Sequence, residues 1–216
     1  MTELTIVAVI VTLLVGGVLR GEALIVQARI RDVVNDFNGV SAAYQIYFDR
    51  YKAIPGDDPN AGTRWSAFAA KPGGGDRIVS GRYMDPAPLD PTAAGFTVDN
   101  TQNESLAFWW DMRMAGFLSG SPSGPGAATQ PINAFGGIVG VQAGALGLGT
   151  LVVCSSDVPA KIAGPVDTLL DDGRPDTGSV RAYRQSTSNE DVTGKAPNAT
   201  AYDESGGARY VLCKQV

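Results

Sequence analysis

Near its start the chain changes pattern once. Leu4 to Leu19 (LTIVAVIVTLLVGGVL) carries no charge; as a helix it spans about 24 Å, slightly short of a bilayer core by itself. Beyond Arg20 the pattern becomes amphipathic. Val26, Ile30, Val33, Phe37, Val40, Tyr44, Tyr47 and Tyr51 recur at three- and four-residue steps, which places them on one helical face. Arg29, Arg31, Asp32, Asp36, Gln45, Asp49 and Arg50 fill most of the remainder. The pattern stops at Ile54-Pro55-Gly56, where proline forbids continuation and glycine permits a turn. The whole run predicts one helix of about 53 residues, or about 80 Å. No globular domain of this size covers such a rod, so its first half must pack against lipid or against other copies.

This divides the chain into a helix over 1–54, apolar over 1–21 and amphipathic over 22–54, and a head domain over 55–216. A secretory signal peptide normally begins with a basic region, and a signal anchor carries basic residues on its cytoplasmic side. Here an acid, Glu3, precedes the apolar run, and neither reading explains it. Gly16, Gly17 and Gly21 each cost about 1 kcal/mol of helix stability relative to alanine, so this stretch is the weakest part of the rod. Small residues also let helices approach closely in lipid, and the pattern leaves both roles open.

The head domain predicts an α+β fold: the long helix against a small antiparallel sheet with long loops and two short helices. Residues 57–103 are turn-rich, with Gly73-Gly74-Gly75 and prolines at 86, 88 and 91, and read as a loop-dominated connection crossing one side of the rod. Asn103 is a candidate N-cap for a helix from Glu104 to Leu118 ended by Gly120. Leu106, Trp110, Met114 and Phe117 form its apolar stripe, and Trp109 beside them is a candidate partner-facing aromatic. Gly136–Val141, Leu148–Ser155, Ser179–Arg184 and Ala208–Lys214 read as strands. A second short helix starts near Pro159 with Ile162, Val166 and Leu169 inward, and Pro165 should kink or break it.

Composition narrows the chemistry. The 17 basic and 22 acidic residues leave a net charge of −5 with no basic run, which argues against specific nucleic-acid binding. Histidine is absent, removing the usual metal ligand and the commonest general base. No nucleophile elbow, phosphate loop, paired-acid cleft or CxxCH stands out, so catalysis is not expected. Cys154 and Cys213 are too far apart in sequence for a CxxC motif. In a secreted protein they read as one disulfide, closing a loop that stabilises by roughly 4 kcal/mol; two buried thiols are the alternative. The aromatics Phe37, Tyr44, Tyr47, Phe48 and Tyr51 are explained by packing of the domain onto the helix.

One segment could hold a cation. Asp167, Asp171, Asp172 and Asp176 in DTLLDDGRPDTGSVRA cluster carboxylates on a Gly/Pro turn, and hard oxygen ligands suit calcium. The spacing is not that of an EF-hand loop, and an acid-stabilised turn after a helix explains the same residues. Asn103-Glu104-Ser105 and Asn198-Ala199-Thr200 are formal sequons read as exposed turns. Residues 119–129 and 186–200 are rich in Ser and Thr that could carry O-linked sugars.

The apolar run after Glu3, the amphipathic helix and the segment YKAIPGDDPNA together resemble the type IV pilin and pseudopilin family. Glu104, Ser105, Phe108, Trp109, Arg113, Ala115, Gly116, Phe117 and Gly120 resemble a pattern found in some prepilin-like proteins. The resemblance implies a lollipop-shaped fold and a role for Glu3: neutralising the N-terminal amine of a neighbouring subunit during assembly. A charge in an apolar seam needs such a partner. The acid stands two positions earlier than the family's, so the resemblance implies a chain that begins inside the mature form or is numbered from an unusual start. It implies a disulfide that encloses a surface region, here 155–212, and for some pseudopilins a calcium in a comparable loop.

The function implied is structural. A subunit held in the inner membrane of a Gram-negative bacterium is processed by prepilin peptidase. The pilus assembly machinery then extracts it into an extracellular helical homopolymer. Glu3, Leu4, Val7, Val11, Leu14, Gly16, Gly17 and Gly21 are the expected assembly residues. A pseudopilin of a type II secretion system, forming a short periplasmic pseudopilus, is the alternative; an enzyme or receptor tethered by one helix is the remaining class.

Overall fold

A computed structural model describes the backbone of residues 2–93 and 95–216; within 2–19 it describes side chains only at Val7, Ile10, Val11, Thr12 and Gly16. The order is α1 (Thr2–Tyr51), α2 (Ala61–Arg64), a 3-10 turn (Ser66–Phe68), α3 (Glu104–Met114), β1 (Val139–Ala145), β2 (Leu148–Pro159), α4 (Ala160–Leu170), β3 (Val180–Arg184) and β4 (Arg209–Gln215). The fold is α+β: the N-terminal helix against one antiparallel sheet of order β1-β2-β4-β3.

Helix α1 has 50 residues and is about 75 Å long. It ends before Pro55, because Lys52 takes a left-handed φ of 55° while its N–H still bonds the Phe48 carbonyl. The stripe from Val26 to Tyr51 is the face that packs: Val33, Phe37, Val40 and Tyr47 are buried, and Val26, Ile30, Tyr44 and Tyr51 pack partly against the same core. Sheet residues Val139, Val141, Val153, Val158, Val180 and Leu212 and helix α4 residues Ile162, Ala163 and Val166 complete it. Strands β1 and β2 turn through Leu146 and Gly147, both at positive φ (52° and 76°), the geometry of the tight hairpin turn that matches strand twist.

Cys154 and Cys213 face each other across β2 and β4 with Cα atoms 4.0 Å apart, and they form the disulfide. The bond ties the C-terminal strand to the middle of the sheet.

Several expectations need correction. The segment after α1 is loop-dominated as expected, though α2 and the 3-10 turn lie within it. Helix α3 ends at Met114, short of Leu118. Asn103 stands at the N-cap position but makes no side-chain cap; its φ is 68° and its amide donates to the Thr97 carbonyl. The helix's early N–H of Ser105 bonds the Ser80 carbonyl instead. Trp109 does not face outward but is fully buried. Helix α3 lies between two clusters, with Phe108, Trp109 and Met112 in the main core and Leu106 and Trp110 in a smaller one, so it has no free face over most of its length.

Pro165 neither breaks nor ends α4. The carbonyl deprived of its partner belongs to Lys161, an exposed residue whose backbone can meet water. Leu169 points outward, 65% exposed, because Asp167 takes the inward position beside Val166. The strands are displaced by up to a few residues from their expected limits: β1 runs later, β2 continues to Pro159, and β3 and β4 start one residue later.

Candidate functional site

The candidate assembly segment is the first half of α1. Val7 and Val11 are 58% and 51% exposed, and Ile10, Leu24 and Ile25 are exposed as well. Among the described residues, a Cβ added at Gly16 or Gly21 would meet nothing within 4 Å. The side chains of Glu3, Leu4 and Leu14, and Gly17, lie outside the described residues. Among the described residues no helix is long and apolar enough to cross a membrane.

The second half of α1 ends in a polar hub built by Ile54-Pro55-Gly56-Asp57-Asp58. Gly56 adopts a φ of +83°, and a Cβ on it would lie 2.2 Å from the Glu104 carbonyl oxygen, so only glycine lets the turn reach α3. Its N–H donates to Asp111 Oδ2 at 2.7 Å. Asp57 Oδ2 accepts from Arg77 N–H at 2.7 Å, and Oδ1 accepts from the N–H groups of Gly75 and Asp76. Glu104 accepts from Gly74 N–H at 2.7 Å and Ser80 N–H at 2.8 Å. The glycine run is therefore held by two buried carboxylates.

Asp58 collects the side chains around the helix end. It accepts from the Tyr47 hydroxyl at 2.9 Å, from Asn60 N–H at 2.8 Å and from Arg64, whose guanidinium lies 4.2 Å from the Tyr51 ring centre. Burial pushes the Asp111 carboxyl well above its ordinary range, against the pull of Gly56 N–H. Burial also pushes Asp57 and Glu104 up, and their backbone hydrogen bonds oppose it. Through these bonds the acids position the turn, the glycine run and α3 relative to one another. The IPGDD segment carried the resemblance in sequence, but its mechanical role, with Arg64, Glu104 and Asp111, was not legible there; adjacent acids just after a Pro-Gly turn were the available signal.

The acidic segment after α4 brings together Asp167, Asp171 and Asp172, each with an oxygen within 4.8 Å of the others. Asp176 is not among them; it pairs with Arg174 at 3.4 Å. Asp167 accepts from the Tyr202 hydroxyl at 2.5 Å, and burial pushes its carboxyl up to about 6. Asp171 accepts from Ser179 and Val180 N–H, and Asp172 from Arg174 N–H and the Thr177 hydroxyl. The Thr177 bond holds Asp172 below the usual carboxylate range. Each acid already serves a local donor, and a divalent cation there would share these oxygens. The sequon at Asn103 is no exposed turn: Asn103 is half-buried and bonded to Thr97, and Ser105 is buried.

Comparison with models of known families, with curated proteins and with solved structures returned no match in any of the three.

Proposed function

We propose that this chain is the subunit of a type IV pilus-like filament, polymerising with copies of itself through the apolar half of α1. One observation carries the reading. A single helix packs a head domain along its second half and leaves Val7, Ile10, Val11, Leu24 and Ile25 uncovered along its first. Exposed apolar rows of this kind need another surface. A helix that exchanges lipid for neighbouring helices of similar polarity can leave a membrane at small cost. Head-to-tail contacts that do not close give an open helical fibre, and the sequence supplies Glu3 as a charge that needs a partner in that seam. In this reading the subunit waits in the inner membrane, depends on prepilin peptidase and the pilus assembly machinery, has no enzymatic activity and ends in a filament on the cell surface.

The test is Glu3→Ala in cells, read by electron micrographs of sheared surface material and by the amount of subunit in the membrane fraction. Fibres should vanish while the membrane pool persists. Abundant normal fibres from the variant would overturn the assignment of Glu3. The second reading, a pseudopilin of a type II secretion system, is favoured by the convergence of Asp167, Asp171 and Asp172, which could take calcium. It predicts no long extracellular fibres from the unaltered chain at normal expression.

A further inference from the structure

One loop of the head carries an apolar tip that nothing in the chain covers. Leu89 is 88% exposed, the highest value for a large apolar side chain among the described residues. The loop around it is nevertheless held in place. The Asp85 carbonyl accepts from the buried Gln130 amide at 2.6 Å, Ala87 packs against the Phe96 and Trp110 cluster, and Pro91 is buried. Pro86 and Pro88 fix their own φ, and Asp85, Ala87 and Asp90, each before a proline, are biased to extended conformations. The tip is thus presented ready-made, which lowers the ordering cost of binding. Next to it, Asp90 Oδ1 accepts from Thr92, from its N–H at 2.9 Å and its hydroxyl at 2.7 Å. Asp90 Oδ2 has no partner among the described residues, whereas Asp85 is paired with Arg82.

A groove of matching chemistry lies elsewhere on the same chain. About 660 Å³ in volume, it opens between the C-terminal part of α1 and the β1–β2 hairpin. Tyr44 and Phe48, one helical turn apart, line it with ring centres 6.2 Å apart and planes 26° from parallel. Both rings are half-buried, and Ile54 and the 56% exposed Ile78 extend the apolar wall. Arg77 is the one charged side chain on the lining. It is exposed and makes no ion pair among the described residues. Loop and groove have no residue in common.

We propose that this groove takes the 86–90 loop of a second copy of the chain, with Pro88 and Leu89 against Tyr44, Phe48 and Ile78 and Asp90 on Arg77. Extended proline-rich segments dock in aromatic-lined grooves, where their rings meet aromatic faces. Charge selects the same pairing: the groove offers one unpaired cation, and the loop offers one carboxylate with a free oxygen. The two surfaces differ, so each copy gives its loop to one neighbour and its groove to another, a contact that can repeat along a fibre. The inference deepens the filament reading and rests on it, since copies held side by side by their α1 helices meet at high effective concentration. A contact as small as one loop can form under that condition.

The experiment is cysteine cross-linking of the full-length chain in cells, with Leu89→Cys and Ile78→Cys, both exposed positions that leave the core intact. Under mild oxidation the doubly substituted chain should give a ladder of linked multimers. Co-expressed single variants should give only a mixed dimer, and either variant alone none. Electron micrographs of sheared material from the same cells read the filament separately. A ladder without fibres would overturn the filament reading and keep the contact; fibres without a ladder would overturn the contact alone, and loss of both would overturn both. Leu89→Cys chains linked to each other, or to a different protein, would also overturn the proposal. In the doubly substituted background, Arg77→Glu or Asp90→Arg should cut the ladder about fivefold, and the two together should restore it. An Asp90 that only holds Thr92 would not be rescued by Arg77→Glu, so absence of rescue would overturn the Arg77–Asp90 pairing.

Discussion

The two halves of α1 are made of similar residues and meet different fates. Val7, Ile10 and Val11 are as apolar as Val33, Phe37 and Val40, yet the first group is open and the second is buried. Intrinsic hydrophobicity does not separate them. What separates them is the position of the head domain, whose sheet, α3 and α4 cover only the second half. The second half also carries the polar hub, where Tyr47 bonds Asp58. The second half is thus committed within the chain, while the described apolar side chains of the first are left uncovered.

The sharpest way to break this comparison is a pair of truncations. Phe37→Ala should lower unfolding stability of the full chain in detergent by roughly 3–5 kcal/mol, as expected for a large buried side chain. Val11→Ala should change it by less than about 0.5 kcal/mol while impairing fibre formation. Equal losses in chemical denaturation would mean the halves are not different. Reduction of Cys154–Cys213 should come next, at roughly 2–4 kcal/mol, seen as a lower denaturation midpoint. Gly56→Ala should cost about 2 kcal/mol or more by straining the turn against α3, whereas Gly16→Ala should add about 1 kcal/mol of helix stability.

The smallest effect is on pH. Asp36 on the packed half of α1 is pushed up to about 6, chiefly by burial and then by Asp32, and Asp167 is raised likewise. A raised carboxyl means the folded state binds more protons than the unfolded chain between the ordinary value near 3.8 and about 6. Stability should therefore rise as pH falls from 7 to about 5, by roughly 1 kcal/mol after solvent screening. It should fall again as pH drops from 4.5 toward about 2, where Glu190, held low by Lys195 and Ser186, loses its charge. Thermal melts across this range check both limbs, and Asp36→Asn should flatten the upper one. A melting temperature that climbs steadily from pH 5 to 7 would contradict the account.

Much of the architecture was readable in advance because its causes are local. An uncharged run followed by a three- and four-residue repeat makes a two-part helix, and Ile54-Pro55-Gly56 ends it near Tyr51. Segments rich in valine and glycine marked the first two strands to within a few residues, and the cysteine count located the disulfide. Of the expected assembly residues, Val7 and Val11 are exposed, as the apolar run alone does not say. The hub was readable only as a string of letters.

The rest depended on neighbours distant in sequence. Trp109 is buried because α3 has a core on each side, and a helix buried all round shows no periodicity from which to read a free face. Leu169 is exposed because Asp167 found Tyr202 and Gly173, and so took the inward place. Glu104 became a buried anchor because Gly74 and Ser80 bring their N–H groups to it across the fold. Periodicity in the sequence determined that the elements exist and which stripe of α1 packs. Which polar groups are buried, and against what, was decided by tertiary structure, because a buried carboxylate is tolerated only where the fold delivers donors to it.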